Sequence, residues 1–138
     1  MEIALIAHDR KKELLAQFCI AYTEILKKHN LCATATTAKY VADSTGLRIE
    51  RLLIGDFGGE QQVVSRISCN EIDCLLCFRD TSENSAHDES IQTMLRLCDV
   101  HNIPFATNIA TAEALIRAID SGDFDWREFV NPMYKGRG

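Results

Sequence analysis

Two histidine–aspartate pairs, His8-Asp9 and His87-Asp88, together with the carboxylates Glu60 and Asp80, are the residue types that general acid–base chemistry requires. A lone histidine is usually structural, but two of them beside acids in loops point to proton transfer. Lys12, shortly after the first pair, can reach back to an anion. Thr34-Ala35-Thr36-Thr37 offers hydroxyls and backbone N–H groups where a helix begins, a place suited to a phosphate. The same threonines could merely cap that helix. Gly55-Asp56-Phe57-Gly58-Gly59 carries three glycines in five positions, which permit either close approach to a ligand or a tight turn. No His-x-x-x-His pair or carboxylate spacing supports a metal site. Cys74-x-x-Cys77 has a redox or zinc spacing, yet it lies in an apolar run that reads as a strand. Positions three apart on a strand face opposite ways, so core packing is the expectation for both sulfurs.

These residues need elements to hold them. Apolar runs at 2–7, 31–35, 49–54, 72–78 and 105–107 read as strands. Helix-period stretches separate them, the first marked by Leu14, Leu15, Phe18, Cys19, Tyr22, Ile25 and Leu26. Alternation of β with α predicts an α/β fold: a Rossmann-like, doubly wound, mostly parallel five-stranded sheet with helices on both faces. In such sheets the crevice lies outside the carboxyl ends of the strands. The segments 8–12, 34–38, 55–62, 79–90 and 107–111 fall there, and they contain the histidines, carboxylates, lysine, threonines and glycines singled out above.

The chain reads as one domain over residues 1–138, with 126–138 a C-terminal tail lacking clear periodicity. Its aromatics Trp126, Phe129 and Tyr134 must pack on the domain itself or on a neighbouring subunit. With 138 residues, 46% of them hydrophobic and 25% charged, a buried core is within reach. The net charge of −5 argues against nucleic acid and anionic membranes as partners, both of which call for a basic face. A phosphorylated ligand would have to meet local positive potential. No secretory leader or membrane span is evident, and the six cysteines suit a reducing compartment, so a cytoplasmic location is expected.

Taken in order, the loops resemble the methylglyoxal synthase family. The likeness is carried by Ala7-His8-Asp9 with Lys12, by Ala33-Thr34-Ala35-Thr36-Thr37, by Gly58-Gly59-Glu60-Gln61-Gln62-Val63, by the segment 73–80, by His87-Asp88, and by the segment 102–112, running from about Ile3 to Ile116. The resemblance implies a lyase, commonly a homohexamer, that converts the small phosphorylated substrate dihydroxyacetone phosphate to methylglyoxal and phosphate with no cofactor or metal. It implies catalytic roles for Glu60, His87, Asp9 and Asp80. Substrate and phosphate binding would fall to His8, Lys12, Thr34, Ala35, Thr36, Thr37, Ile54 and Gly55. Glu60 stands where the family has its aspartate base, Ser90 where it has an acid, and Ile54 and Asp56 where it has serine and proline. Ala35 and Ala38 stand where it has glycines. A second function remains open at this point, that of a phosphorylated-ligand-sensing regulatory domain like the related one in carbamoyl phosphate synthetase, or an altered substrate.

Overall fold

A computed structural model describes residues 1–82 and 87–134, with the side chains of Asp56 and His87 outside the described set. Five strands, β1 (Glu2–Ala7), β2 (Asn30–Thr34), β3 (Ile49–Leu52), β4 (Cys74–Phe78) and β5 (Phe105–Ala106), form one parallel sheet in the order β3-β2-β1-β4-β5. The order turns back at β1, so its two neighbours β2 and β4 lead the chain away in opposite directions. That is the doubly wound arrangement expected from the alternation of elements.

The helices are α1 (Lys12–Ala21), α2 (Thr23–Leu26), α3 (Ala35–Thr45), α4 (Gly59–Ser68), α5 (His87–His101) and α6 (Ile109–Asp120). Leu15, Phe18 and Cys19 of α1, Val41 of α3 and Ile116 of α6 pack on one face of the sheet against Ile3, Leu5 and Leu76. Val63 and Ile67 of α4 and Ile91, Met94 and Cys98 of α5 cover the other face against Ala4, Ile6 and Leu75. Burial on both faces explains why central strands β1 and β4 are continuous apolar runs with no alternation, whereas edge strand β3 exposes Glu50 and Arg51. Cys74 joins the first layer and Cys77 the second, so the two sulfurs do not share a site. Burial pushes the Cys77 thiol up to about 12, which makes it a poor nucleophile. Among the six cysteines Cys69 is the exception to burial.

Two local departures from the sequence pattern have physical causes. The single apolar stripe from Leu14 to Leu26 is broken at Tyr22, because the Thr23 hydroxyl donates to the carbonyls of Cys19 (2.7 Å) and Ile20 (3.0 Å). Such back-bonding competes with the helical ladder. The tail forms two 3₁₀ turns, Asp125–Phe129 and Pro132–Tyr134. Its anchor is a charged residue: Arg127 is fully buried and Tyr134 nearly so, while Trp126 is partly exposed and Phe129 is 90% exposed. Among the described residues Phe129 is thus left largely uncovered. Among the described residues no helix is long and apolar enough to cross a membrane.

Candidate active site

Strand β1 ends at Ala7, and the chain turns through Asp9–Lys11 into α1, which leaves His8 and Asp9 at the carboxyl edge of the sheet and Lys12 at the first position of α1. Strand β2 runs directly into α3, with Thr34 in extended geometry at the N-cap. Strand β3 continues through Leu53 and Ile54 into a short turn, Gly55–Phe57, and then α4. These three strand ends enclose a cavity of about 290 Å³ lined by Ile6, Ala7, His8, Asp9, Lys12, Thr34, Thr36, Thr37, Ile54, Gly55 and Glu60.

The threonines do more than begin a helix. Thr34 makes no side-chain capping bond, so its hydroxyl is not engaged by α3. Helix geometry leaves the N–H groups of the first turn without intrahelical acceptors. Ala35 N–H donates to the carbonyl of Leu53 (3.3 Å), and Ala35 does not line the cavity. Ala35 therefore ties the end of β3 to the start of α3, and it is Thr36 and Thr37 that present backbone donors to the pocket. Lys12 lines the same cavity as this positive helix end. Lys12 is held by Asp9, Nζ to Oδ1 at 2.5 Å, with the lysine side chain 14% exposed and the aspartate 95%. This pair keeps a nearly buried ammonium at the cavity wall.

The glycines divide their tasks. A Cβ on Gly59 would stand 2.0 Å from the Leu53 carbonyl oxygen and 2.9 Å from the Thr34 Cγ2. Close approach at Gly59 is thus between two stretches of the protein's own chain, not between chain and ligand. Gly58 has φ +106°, a conformation that favours glycine. Gly55 lines the cavity, and a Cβ there would lie 3.5 Å from the Oε1 of Glu60. The Glu60 carboxylate, in the first turn of α4, therefore reaches back over Gly55. Gln62 fixes this arrangement by accepting the Leu53 N–H at 2.7 Å.

His8 is buried, and its Nδ1 accepts the backbone N–H of Asp80 at 2.8 Å. The reciprocal bond, His8 N–H to the Phe78 carbonyl (3.2 Å), fastens the ends of β1 and β4 together. A ring nitrogen that accepts from an amide carries no proton, so the imidazole proton resides on Nε2. That nitrogen is the donor His8 can offer to a substrate oxygen. Asp80 itself does not line the cavity; it supports His8 from behind. Two hydrogen bonds from Ser82 to its Oδ1, from the hydroxyl and from the backbone N–H, hold the Asp80 carboxyl below the usual aspartate range, with Arg10 adding to the effect. The His87 side chain lies outside the described residues. Among the described residues no group of three or more His, Cys, Asp or Glu is disposed to hold a metal ion.

The family model of the MGS-like domain matches residues 15–107. A methylglyoxal synthase of Caldicellulosiruptor saccharolyticus is 56% identical over 132 residues, covering 96% of this chain and 94% of the relative. The chain belongs to the methylglyoxal synthase family. A methylglyoxal synthase of Clostridioides difficile is 49% identical over 93% of this chain and 93% of its own length. The crystal structure of methylglyoxal synthase from Elizabethkingia anophelis superposes with a TM-score of 0.78 at 39% identity, covering 83% of this chain and 76% of that one. Methylglyoxal synthase folds are thus the frame in which the strand-end cavity sits. Residue type did not single out Ile6 and Ala7 of the cavity wall, nor Ser82, which binds Asp80 behind it. The wall positions are the last two residues of the strand at 2–7, directly before His8. Nothing in the sequence marks Ser82.

Proposed function

We propose that this member of the methylglyoxal synthase family is a lyase that eliminates phosphate from dihydroxyacetone phosphate to give methylglyoxal. The observation that supports it most strongly is the convergence of a carboxylate (Glu60), an imidazole with its proton on Nε2 (His8), and an ammonium beside a helix N-terminus (Lys12, Thr36, Thr37) around one small cavity. The phosphate is held by Lys12, by the hydroxyls of Thr34, Thr36 and Thr37, by the N–H groups of Thr36 and Thr37, and by the Gly55 backbone. Glu60 removes a proton from the hydroxymethyl carbon beside the carbonyl. His8 Nε2–H, with His87 by resemblance, stabilises the negative charge that develops on the carbonyl oxygen. The electron pair of the enediolate then expels phosphate by breaking the carbon–oxygen bond on the far carbon. The resulting enol takes up a proton at that carbon to become methylglyoxal. Asp9 keeps Lys12 at the wall, and Asp80 keeps His8 in place.

Glu60, in place of a shorter acid, lays its carboxylate against Gly55, within van der Waals distance of where a Cβ there would stand. Purified protein incubated with dihydroxyacetone phosphate should release methylglyoxal and inorganic phosphate in equal amounts. Appearance of neither, at high protein concentration, overturns the lyase and leaves a ligand-sensing module. We infer a homohexamer as well, supported by the exposed Phe129 and Trp126 of the tail and by Phe57. Light scattering should give a mass about six times that of the chain, and a monomeric mass overturns it.

A further inference from the structure

We propose that Ser82 is a positioning residue for His8, acting through Asp80 to keep the imidazole proton on Nε2. Ser82 donates to Asp80 Oδ1 twice, from its hydroxyl at 2.6 Å and from its backbone N–H at 3.0 Å. Asp80 in turn donates its own backbone N–H to His8 Nδ1 at 2.8 Å. The direction of the peptide N–H at Asp80 therefore depends on how the 80–82 turn is closed, and Ser82 closes it.

The other charge near Asp80 is a weaker hold. Arg10 Nε stands 3.9 Å from Oδ2, and the Arg10 side chain is 81% exposed. A pair so exposed is screened by water and holds little. The short charge-assisted hydrogen bond from the Ser82 hydroxyl is the stronger contact. If the turn opens, the Asp80 N–H leaves Nδ1, and a neutral imidazole is then free to place its proton on either nitrogen. The fraction with Nε2 protonated falls, and with it the donor available to the substrate oxygen.

This inference rests on the lyase reading only for its kinetic consequence, because the tautomer is observable without substrate. The test is a long-range ¹H–¹⁵N correlation spectrum of the imidazole rings in labelled protein at alkaline pH, with the His8 signals assigned by their loss in His8→Gln. Wild-type protein should show His8 with Nε2 protonated. Ser82→Ala should shift His8 toward a mixture of tautomers and lower kcat about tenfold, the scale of one hydrogen bond, with KM within about twofold. Ser82→Thr, which keeps the hydroxyl, should restore both, and Arg10→Ala should leave both unchanged. A purely structural serine would alter melting but not the tautomer. The proposal is overturned if Ser82→Ala retains Nε2 protonation alone. Absence of turnover in the wild type would overturn the lyase reading, and the spectra would still decide the role of Ser82.

Discussion

The two ends of the parallel sheet bury polar groups for opposite purposes. At the amino edge of β4, Asp73 is fully buried and accepts from Glu2 N–H (2.8 Å), Arg127 Nε (3.1 Å), Asn131 Nδ2 (2.9 Å) and Tyr134 O–H (3.1 Å). Arg127 in turn donates to the Asn70 side chain and to the carbonyls of Ile72 and His101. Each of these donors and acceptors meets another within the protein, and the tail is fastened as a result. At the carboxyl edge, by contrast, Thr34 makes no capping bond and the N–H groups of Thr36 and Thr37 have no helical acceptor, so donors converge on a cavity. Size does not distinguish the ends. A larger cleft of about 800 Å³ lies at the amino edge, but charges there answer one another: Arg66 binds both oxygens of Glu50, and Asn30 binds Glu2. Convergent, unsatisfied donors mark the site; volume does not.

This contrast can be broken most sharply at Glu60. Glu60→Gln should lower kcat by about a thousandfold, as expected for loss of a general base. Its melting temperature should barely move, since a first-turn charge contributes only about 0.5 kcal/mol, and phosphate binding should persist. Normal turnover would remove Glu60 from the mechanism. Arg127→Met at the other end should do the reverse. Stripping a buried carboxylate of its partner costs about 3–5 kcal/mol, to be read from denaturant midpoints, while kcat stays as in the wild type. A fall in kcat without a fall in stability would mean that the two ends are coupled.

Lys12→Ala should raise KM about 10- to 100-fold with a smaller change in kcat, the scale of one charged hydrogen bond to phosphate. An unchanged KM would place the phosphate elsewhere. The smallest effect concerns pH. Burial, and next the neighbouring N-terminal ammonium, hold the His29 imidazole below the ordinary histidine value. The folded state thus resists a proton that the unfolded chain accepts, so its stability contribution is present above the ordinary value and is lost as pH falls through the lowered one. Melting temperature should decline on acidification through that range, and His29→Asn should flatten the decline. An identical slope in the variant would remove His29 as the cause.

Much of this was legible in the sequence for a plain reason. Parallel strands buried on both faces are continuous apolar runs, and the segments that follow them must gather at one edge. His8, Lys12, the 34–37 turn and Gly55 were placed together by that logic alone. The Ala35 N–H donates to the Leu53 carbonyl, and sequence cannot say which first-turn N–H meets the protein's own carbonyl. In the tail large aromatics draw attention, whereas Arg127, buried against four distant acceptors on Asp73, Asn70, Ile72 and His101, does not.

The sequence by itself determined the order of elements, the edge of the sheet at which polar residues collect, and the chemical types available there. These are properties of local periodicity and residue identity. Only the tertiary structure decided which groups answer one another: that Gly59 serves chain packing, that the Glu60 carboxylate lies against Gly55, and that Asp80 N–H sets the proton on His8. Those outcomes depend on ångström distances between residues up to 72 positions apart, which no local pattern encodes.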